Sequence, residues 1–149
     1  MPLARFRKVF HVTVGFFIAG SMMAAPGAEM RGTWSALSSS GQRLAGGWTG
    51  ESHAASGGVT GTWTLFDTGG KILLRGSWSA SKSPREWNGA WRASITGRDG
   101  GYSGTWTAET GLKPEARLLD MLESALRAVV SGTWKTGAHS GSWSIRAFP

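Results

Sequence analysis

One three-residue motif, Gly-x-Trp, recurs eight times along the 149-residue chain and constrains its fold more than any other feature. The copies are Gly32-Thr33-Trp34, Gly46-Gly47-Trp48, Gly61-Thr62-Trp63, Gly76-Ser77-Trp78, Gly89-Ala90-Trp91, Gly104-Thr105-Trp106, Gly132-Thr133-Trp134 and Gly141-Ser142-Trp143. Of the 9 tryptophans only Trp87 stands outside the set. Each copy lies in a segment that alternates with period two. In the stretch from Ile72 to Ala80, Gly76, Trp78 and Ala80 share one side, while Arg75, Ser77 and Ser79 share the other. Alternation of this kind belongs to a half-buried antiparallel strand, here with tryptophan inward and hydroxyls outward.

The turn residues between copies fix a register. Placing each glycine opposite its neighbour's tryptophan pairs Gly32 with Trp48, Gly61 with Trp78, Gly89 with Trp106 and Gly132 with Trp143. Turn residues then fall where hairpins want them. The first loop is Ser39-Ser40-Gly41, whose last residue should be left-handed. The second hairpin places Thr68-Gly69-Gly70-Lys71 at its turn, and the third and fourth centre on Gly97-Arg98 and Gly137-Ala138, where a leading glycine suits a type II′ turn. The motif is therefore self-complementary: each bare glycine is covered by an indole from the next strand. Eight such strands alternate large and small residues in the way a small closed barrel fills its interior. The expected fold is all-β, an eight-stranded antiparallel up-and-down barrel. Closure requires a stagger, expected at the seam between the first and last strands.

One helix interrupts the series, between strands 6 and 7. Pro114 suits a first helical position, and Leu118, Leu119, Leu122, Ala125, Leu126 and Val129 form an apolar stripe. Glu123 and Arg127 have the spacing of an i,i+4 ion pair. The apolar face needs cover, which a mouth or wall of the barrel would give.

Residues 1–28 read differently. Arg5, Arg7 and Lys8 precede an apolar run from Val9 to Met23, followed by small residues at Ala24, Ala25, Gly27 and Ala28. This is the layout of a secretory signal peptide, so the organisation expected is 1–28 signal peptide and 29–149 a single barrel domain. The location expected is outside the cytoplasm, secreted or periplasmic, with the leader cleaved and not kept as a membrane anchor. The full chain carries a formal charge of +7, from 16 basic and 9 acidic residues. Without the three leader cations it carries 13 basic and 9 acidic residues, or +4. A surplus this size, scattered along the sequence, does not point to nucleic acid.

The chemistry of catalysis is sparsely represented. Cysteine is absent, which removes disulfides, thiolate metal sites and a thiol nucleophile. No phosphate loop, nucleophile elbow or His-Glu-x-x-His motif occurs. His53 and His139 fall in or beside turns, without a carboxylate at a meaningful spacing, and Asp67 and Asp99 occupy turn positions. The expectation is a noncatalytic protein with no metal and no cofactor.

The tryptophans are the candidate site. Trp34, Trp48, Trp63, Trp78, Trp91, Trp106, Trp134 and Trp143 share an inward face, where they either line a cavity for a small apolar or aromatic ligand or fill the core. Gly32-Thr33-Trp34, opening the first strand, resembles the signature of lipocalins and avidins, and Gly104-Thr-Trp-Thr-Ala108 resembles an avidin strand. The resemblance implies an eight-stranded barrel with a small molecule inside. Avidin's polar biotin-binding residues find no match in this sequence, and the helix is placed differently from that of lipocalins. Three functions follow as expectations: ligand binding in a tryptophan-lined interior, a structural or protein-interaction barrel with a filled core, or a small outer-membrane barrel. The last would need an apolar lipid-facing band, which neither face of these strands supplies.

Overall fold

The computed structural model describes residues 29–149; the expected signal peptide lies outside the described residues. The chain forms eight strands and one short helix: β1 (Glu29–Ser38), β2 (Arg43–Ser52), β3 (Val59–Phe66), β4 (Ile72–Lys82), β5 (Asn88–Ile95), β6 (Gly101–Glu109), α1 (Leu118–Ser124), β7 (Val130–Thr136) and β8 (His139–Phe148). The strands run in sequence order around a closed antiparallel barrel, with β8 paired back onto β1.

Within each hairpin the register is the self-complementary one. Gly32 faces Trp48, Gly61 faces Trp78, Gly89 faces Trp106 and Gly132 faces Trp143, with the reciprocal tryptophan–glycine pairs two residues away. Between hairpins the register is different. Trp48 faces Trp63 and Trp106 faces Trp134, a slip of two residues from the motif match. At β4–β5 and β8–β1 the slip is four, with Trp78 facing Ala93 and Trp34 facing Ile145. The stagger that closure demands is thus shared among four joints instead of residing at the seam. The slips of two, four, two and four run in one direction and total twelve residues around eight strands. All four joints lie between hairpins, so the shear leaves every hairpin's glycine–indole pairing intact.

The turns follow their glycines. Gly41 adopts φ +85° and donates to the Ser38 carbonyl at 2.9 Å, giving the expected three-residue loop. The second loop has the same form, shortened by one residue: Gly70 has φ +83° and donates to Asp67 O at 3.0 Å, and a bulge beside Leu65 and Phe66 absorbs the difference. Asp67 also accepts from the amides of Gly69 and Lys71 at 2.9 and 2.8 Å, the turn role expected of it. Gly137 opens a two-residue loop with φ +53°, and Ala138 keeps a negative φ, as a type II′ turn requires. The third loop is the exception. Its turn spans Ile95 to Arg98, closed by Arg98 N–H to Ile95 O at 3.2 Å, with Gly97 at the third position and φ +79°. A second left-handed glycine, Gly100, returns the chain, so this loop is wider than the two-residue one expected.

The helix is shorter than its sequence pattern and starts later. Pro114 is the second residue of a turn closed by Ala116 N–H to Lys113 O at 3.0 Å, a position its fixed φ suits equally well. Helix α1 begins at Leu118 behind Arg117, whose amide donates to Asp120 Oδ2 at 2.7 Å. Leu118, Met121, Leu122 and Ala125 are buried, whereas Leu126 and Val129 are exposed because the chain has already left the helix to enter β7. Arg127 lies beyond the helix end, so the expected Glu123–Arg127 pair gives way to Arg117–Asp120 at 2.7 Å, the one ion pair among the described residues.

The buried helix residues join one cluster with Met30 of β1, Val59 of β3, Val130 of β7 and Ala147 of β8. These strands lie on different sides of the ring and contribute residues from the same end of it. Helix α1 therefore lies across that mouth, and the hairpin loops ring the other, uncovered one. Trp87, outside the repeat, anchors the approach: its indole donates to Leu112 O at 3.1 Å, and Lys82 Nζ sits 4.4 Å above its ring.

Candidate functional site

The eight motif tryptophans occupy the barrel interior in two layers. Trp48, Trp78, Trp106 and Trp143, from the even strands, lie toward the helix. Trp34, Trp63, Trp91 and Trp134, from the odd strands, lie toward the open mouth. Edge-to-face pairs link Trp34 with Trp63, Trp48 with Trp78 and Trp106 with Trp143, at centroid separations of 6.4, 6.3 and 6.5 Å. Such pairs add roughly 0.5–1.5 kcal/mol each beyond the area they bury. Trp48 and Trp106 are 6% and 7% exposed, and the other six are half-buried.

The indoles do more than fill space. A Cβ built on any of the eight motif glycines would fall 1.7–1.9 Å from a carbonyl oxygen of the adjoining hairpin, far inside contact distance. At each joint between hairpins, then, a backbone carbonyl occupies the volume a side chain would take, and the wall bends sharply there. Most of these carbonyls accept an indole N–H. Trp78 donates to Thr49 O at 2.7 Å, Trp143 to Thr107 O at 2.9 Å, Trp34 to Thr64 O at 3.0 Å and Trp106 to Ser81 O at 3.1 Å. Trp48 and Trp63 do likewise with Arg146 O and Ser94 O, both at 3.2 Å. Trp91 and Trp134 reach only carbonyls of their own hairpins, Thr105 O and Ser142 O, each at 3.2 Å.

The outer face completes each joint. Amides at three of these bends bond to a threonine hydroxyl: Thr62 N–H to Thr49 Oγ1, Gly47 N–H to Thr64 Oγ1 and Thr133 N–H to Thr107 Oγ1, at 3.1, 3.0 and 3.3 Å. Facing hydroxyls also pair across all four joints: Thr49 with Thr62, Ser77 with Ser94, Thr107 with Thr133 and Ser35 with Ser144, at 2.7–2.8 Å. A buried backbone group without a partner is costly, so this exchange of partners lets the wall bend at little penalty. The pairing of hydroxyls across the joints is not visible in the alternation of the strands alone. Its signal was present in the Ser and Thr beside nearly every motif tryptophan, but reading it requires the slipped register.

Little else resembles a reacting centre. His53 Nε2 lies 2.6 Å from Thr60 Oγ1 on the exposed face, and His139 is exposed at the start of β8. Among the described residues no group of three or more His, Asp or Glu side chains could hold a metal ion. The Arg117 hydrogen bond holds the Asp120 carboxyl below the usual aspartate range, as befits a helix cap. An open groove of about 800 Å³ runs along the hydroxyl side of β2 to β6, past Thr49, Thr62, Ser77 and Ser94. Comparison with protein-family models, curated proteins and solved structures gave no match.

Proposed function

We propose that this chain is an exported, noncatalytic β-barrel whose tryptophan-packed interior is structural, and that it works as a structural or protein-interaction module through its outer face and rims. The observation that carries this reading is the use made of the indole N–H groups: all eight donate to backbone carbonyls of the barrel wall. A ligand cradled among them would find hydrophobic edges and no free donor to orient it, whereas binding sites usually keep a few convergent polar groups. The open-mouth layer favours a second reading, a small apolar ligand seated on the half-buried Trp34, Trp63, Trp91 and Trp134. An outer-membrane barrel is disfavoured by the Ser, Thr, Arg and Glu residues of the outer face.

Native mass spectrometry of the gently purified, exported protein separates the two. The filled interior predicts the bare mass of the chain. Excess mass that disappears on denaturation would replace this reading with the ligand-binding one.

A further inference from the structure

Charge along the barrel axis is segregated. Arg43, Lys71, Arg75, Arg92, Arg98 and Lys135 all belong to the half that carries the open mouth, and all six are exposed. Only Asp67 and Asp99 oppose them there, and the Asp67 carboxylate is already engaged by two turn amides. In the helix-capped half, the remaining seven basic residues of 29–149 are matched by seven acidic ones. The whole surplus of +4 therefore sits around one end. A charge that looks scattered along the sequence is gathered by the topology: Arg43, Lys71 and Arg98 lie in or beside hairpin turns of that end, and Arg75, Arg92 and Lys135 lie within the strands that lead to it.

The same end projects apolar side chains. Leu73 and Tyr102 are each 56% exposed, Ile72 is 38% and Leu37 is 36%. Exposed apolar residues also occur at the capped end, on Leu126, Val129 and Phe148, but without a surplus of cations. Only in the open half do protruding apolar groups and a surplus of cations coincide.

We propose that the open mouth docks, rim first, on the surface of an anionic phospholipid bilayer. Leu37, Ile72, Leu73 and Tyr102 enter the boundary between headgroups and acyl chains, and the surrounding arginines and lysines meet the lipid phosphates. A bilayer presents both chemistries in one plane, which a soluble polyanion does not. The barrel does not span the membrane in this arrangement, since its outer wall stays polar. The inference rests on the interior being filled, because a hollow mouth would give these residues a ligand of their own to hold.

The test is co-sedimentation of the exported protein with vesicles of phosphatidylglycerol and phosphatidylcholine, against vesicles of phosphatidylcholine alone. Binding to the anionic vesicles that weakens with salt is expected. The triple variant Lys71→Glu/Arg75→Glu/Arg98→Glu should weaken it by ~100-fold or more, at about fivefold for each cation lost. Ile72→Ser/Leu73→Ser should weaken it roughly tenfold, while Val129→Ser/Phe148→Ser at the capped end should leave it unchanged. Near-UV circular dichroism of the packed tryptophans verifies that each variant is folded. Absence of binding, or binding that survives both mouth variants, would overturn the proposal; the latter would place the contact at the capped end or on the outer wall. The native mass of the same preparation reports separately on the filled interior, so failure of that reading is distinguishable from failure of docking.

Discussion

The two ends of this barrel are built from the same motif and reach different states of packing. Toward the helix, Met30, Val59, Val130 and Ala147 are at most 9% exposed, and Trp48 and Trp106 nearly vanish from the surface. Toward the hairpin loops, Leu44, Leu65, Leu74 and Ile95 are only half-buried, and so are all four tryptophans of that layer. The strands, pairings and bends are equivalent at the two ends, so the difference comes from the cover. One seven-residue helix with its lead-in closes a mouth that strands alone leave open. A repeat fixes where side chains point, and the element outside the repeat decides which of them lose contact with water.

That contrast can be broken most severely where the two ends should not differ. Gly61 lies in the capped half and Gly104 in the open half, yet both have a carbonyl oxygen 1.8 Å from where a Cβ would sit. Gly61→Ala and Gly104→Ala should each cost at least about 4 kcal/mol, or prevent folding, since backbone must move to admit the methyl. Gly111, with open space around its Cβ position, should tolerate alanine almost without effect in the same urea titration. A mild outcome at either bend would mean that the wall can relax without its carbonyl in place.

Truncating an indole should separate the halves. Trp106→Ala removes a 7% exposed ring with two backbone partners, Ser81 O and Ala90 O, and is expected to cost about 4 kcal/mol. Trp134→Ala removes a half-buried ring that bonds only its own hairpin, with an expected cost of about 1–2 kcal/mol. Equal losses in denaturant unfolding would show that the cap is not what distinguishes the layers.

The helix itself gives a smaller and more local effect. Leu122→Ala should cost about 2–3 kcal/mol, and hydrogen exchange should quicken first at Val130 and Ala147. Leu73→Ala at the open rim should leave stability within about 0.5 kcal/mol. Smallest of all is the cap. Because Asp120 has a lowered carboxyl pKa when folded, its contribution is present above the usual aspartate range and disappears as pH falls through the lowered value. Asp120→Asn should abolish that part of the acid-side slope in a thermal melt and lower the plateau near neutrality by the same small amount, the two proteins converging at low pH.

Much of this was legible because the motif carries its own partner. Glycine opposite tryptophan set the register of all four hairpins, and Gly41 and Gly137 set their turns. The joints between hairpins were not legible. Nothing local distinguishes a slip of two residues from one of four, since closure is a property of the whole ring. Helix α1 was visible as a stripe but not in its extent: Pro114 fits a turn as well as a helix start, and Leu126 and Val129 continue a pattern the chain abandons to reach β7. The tryptophan face was legible as inward-facing. The indole donors were not, because their acceptors are backbone carbonyls supplied by strands distant in sequence.

The alternation of slips, two then four and two then four, has a consequence for how such a molecule can be assembled. The ring is a tandem of two four-stranded units, β1–β4 and β5–β8, each meeting the other through the same four-residue step at both of its borders. Neither border is privileged, and the joint where the chain's first and last strands meet is a copy of the one midway along it. In register, a unit such as β1–β4 would match a second copy of itself at both borders; the inserted helix is what makes one half unlike the other.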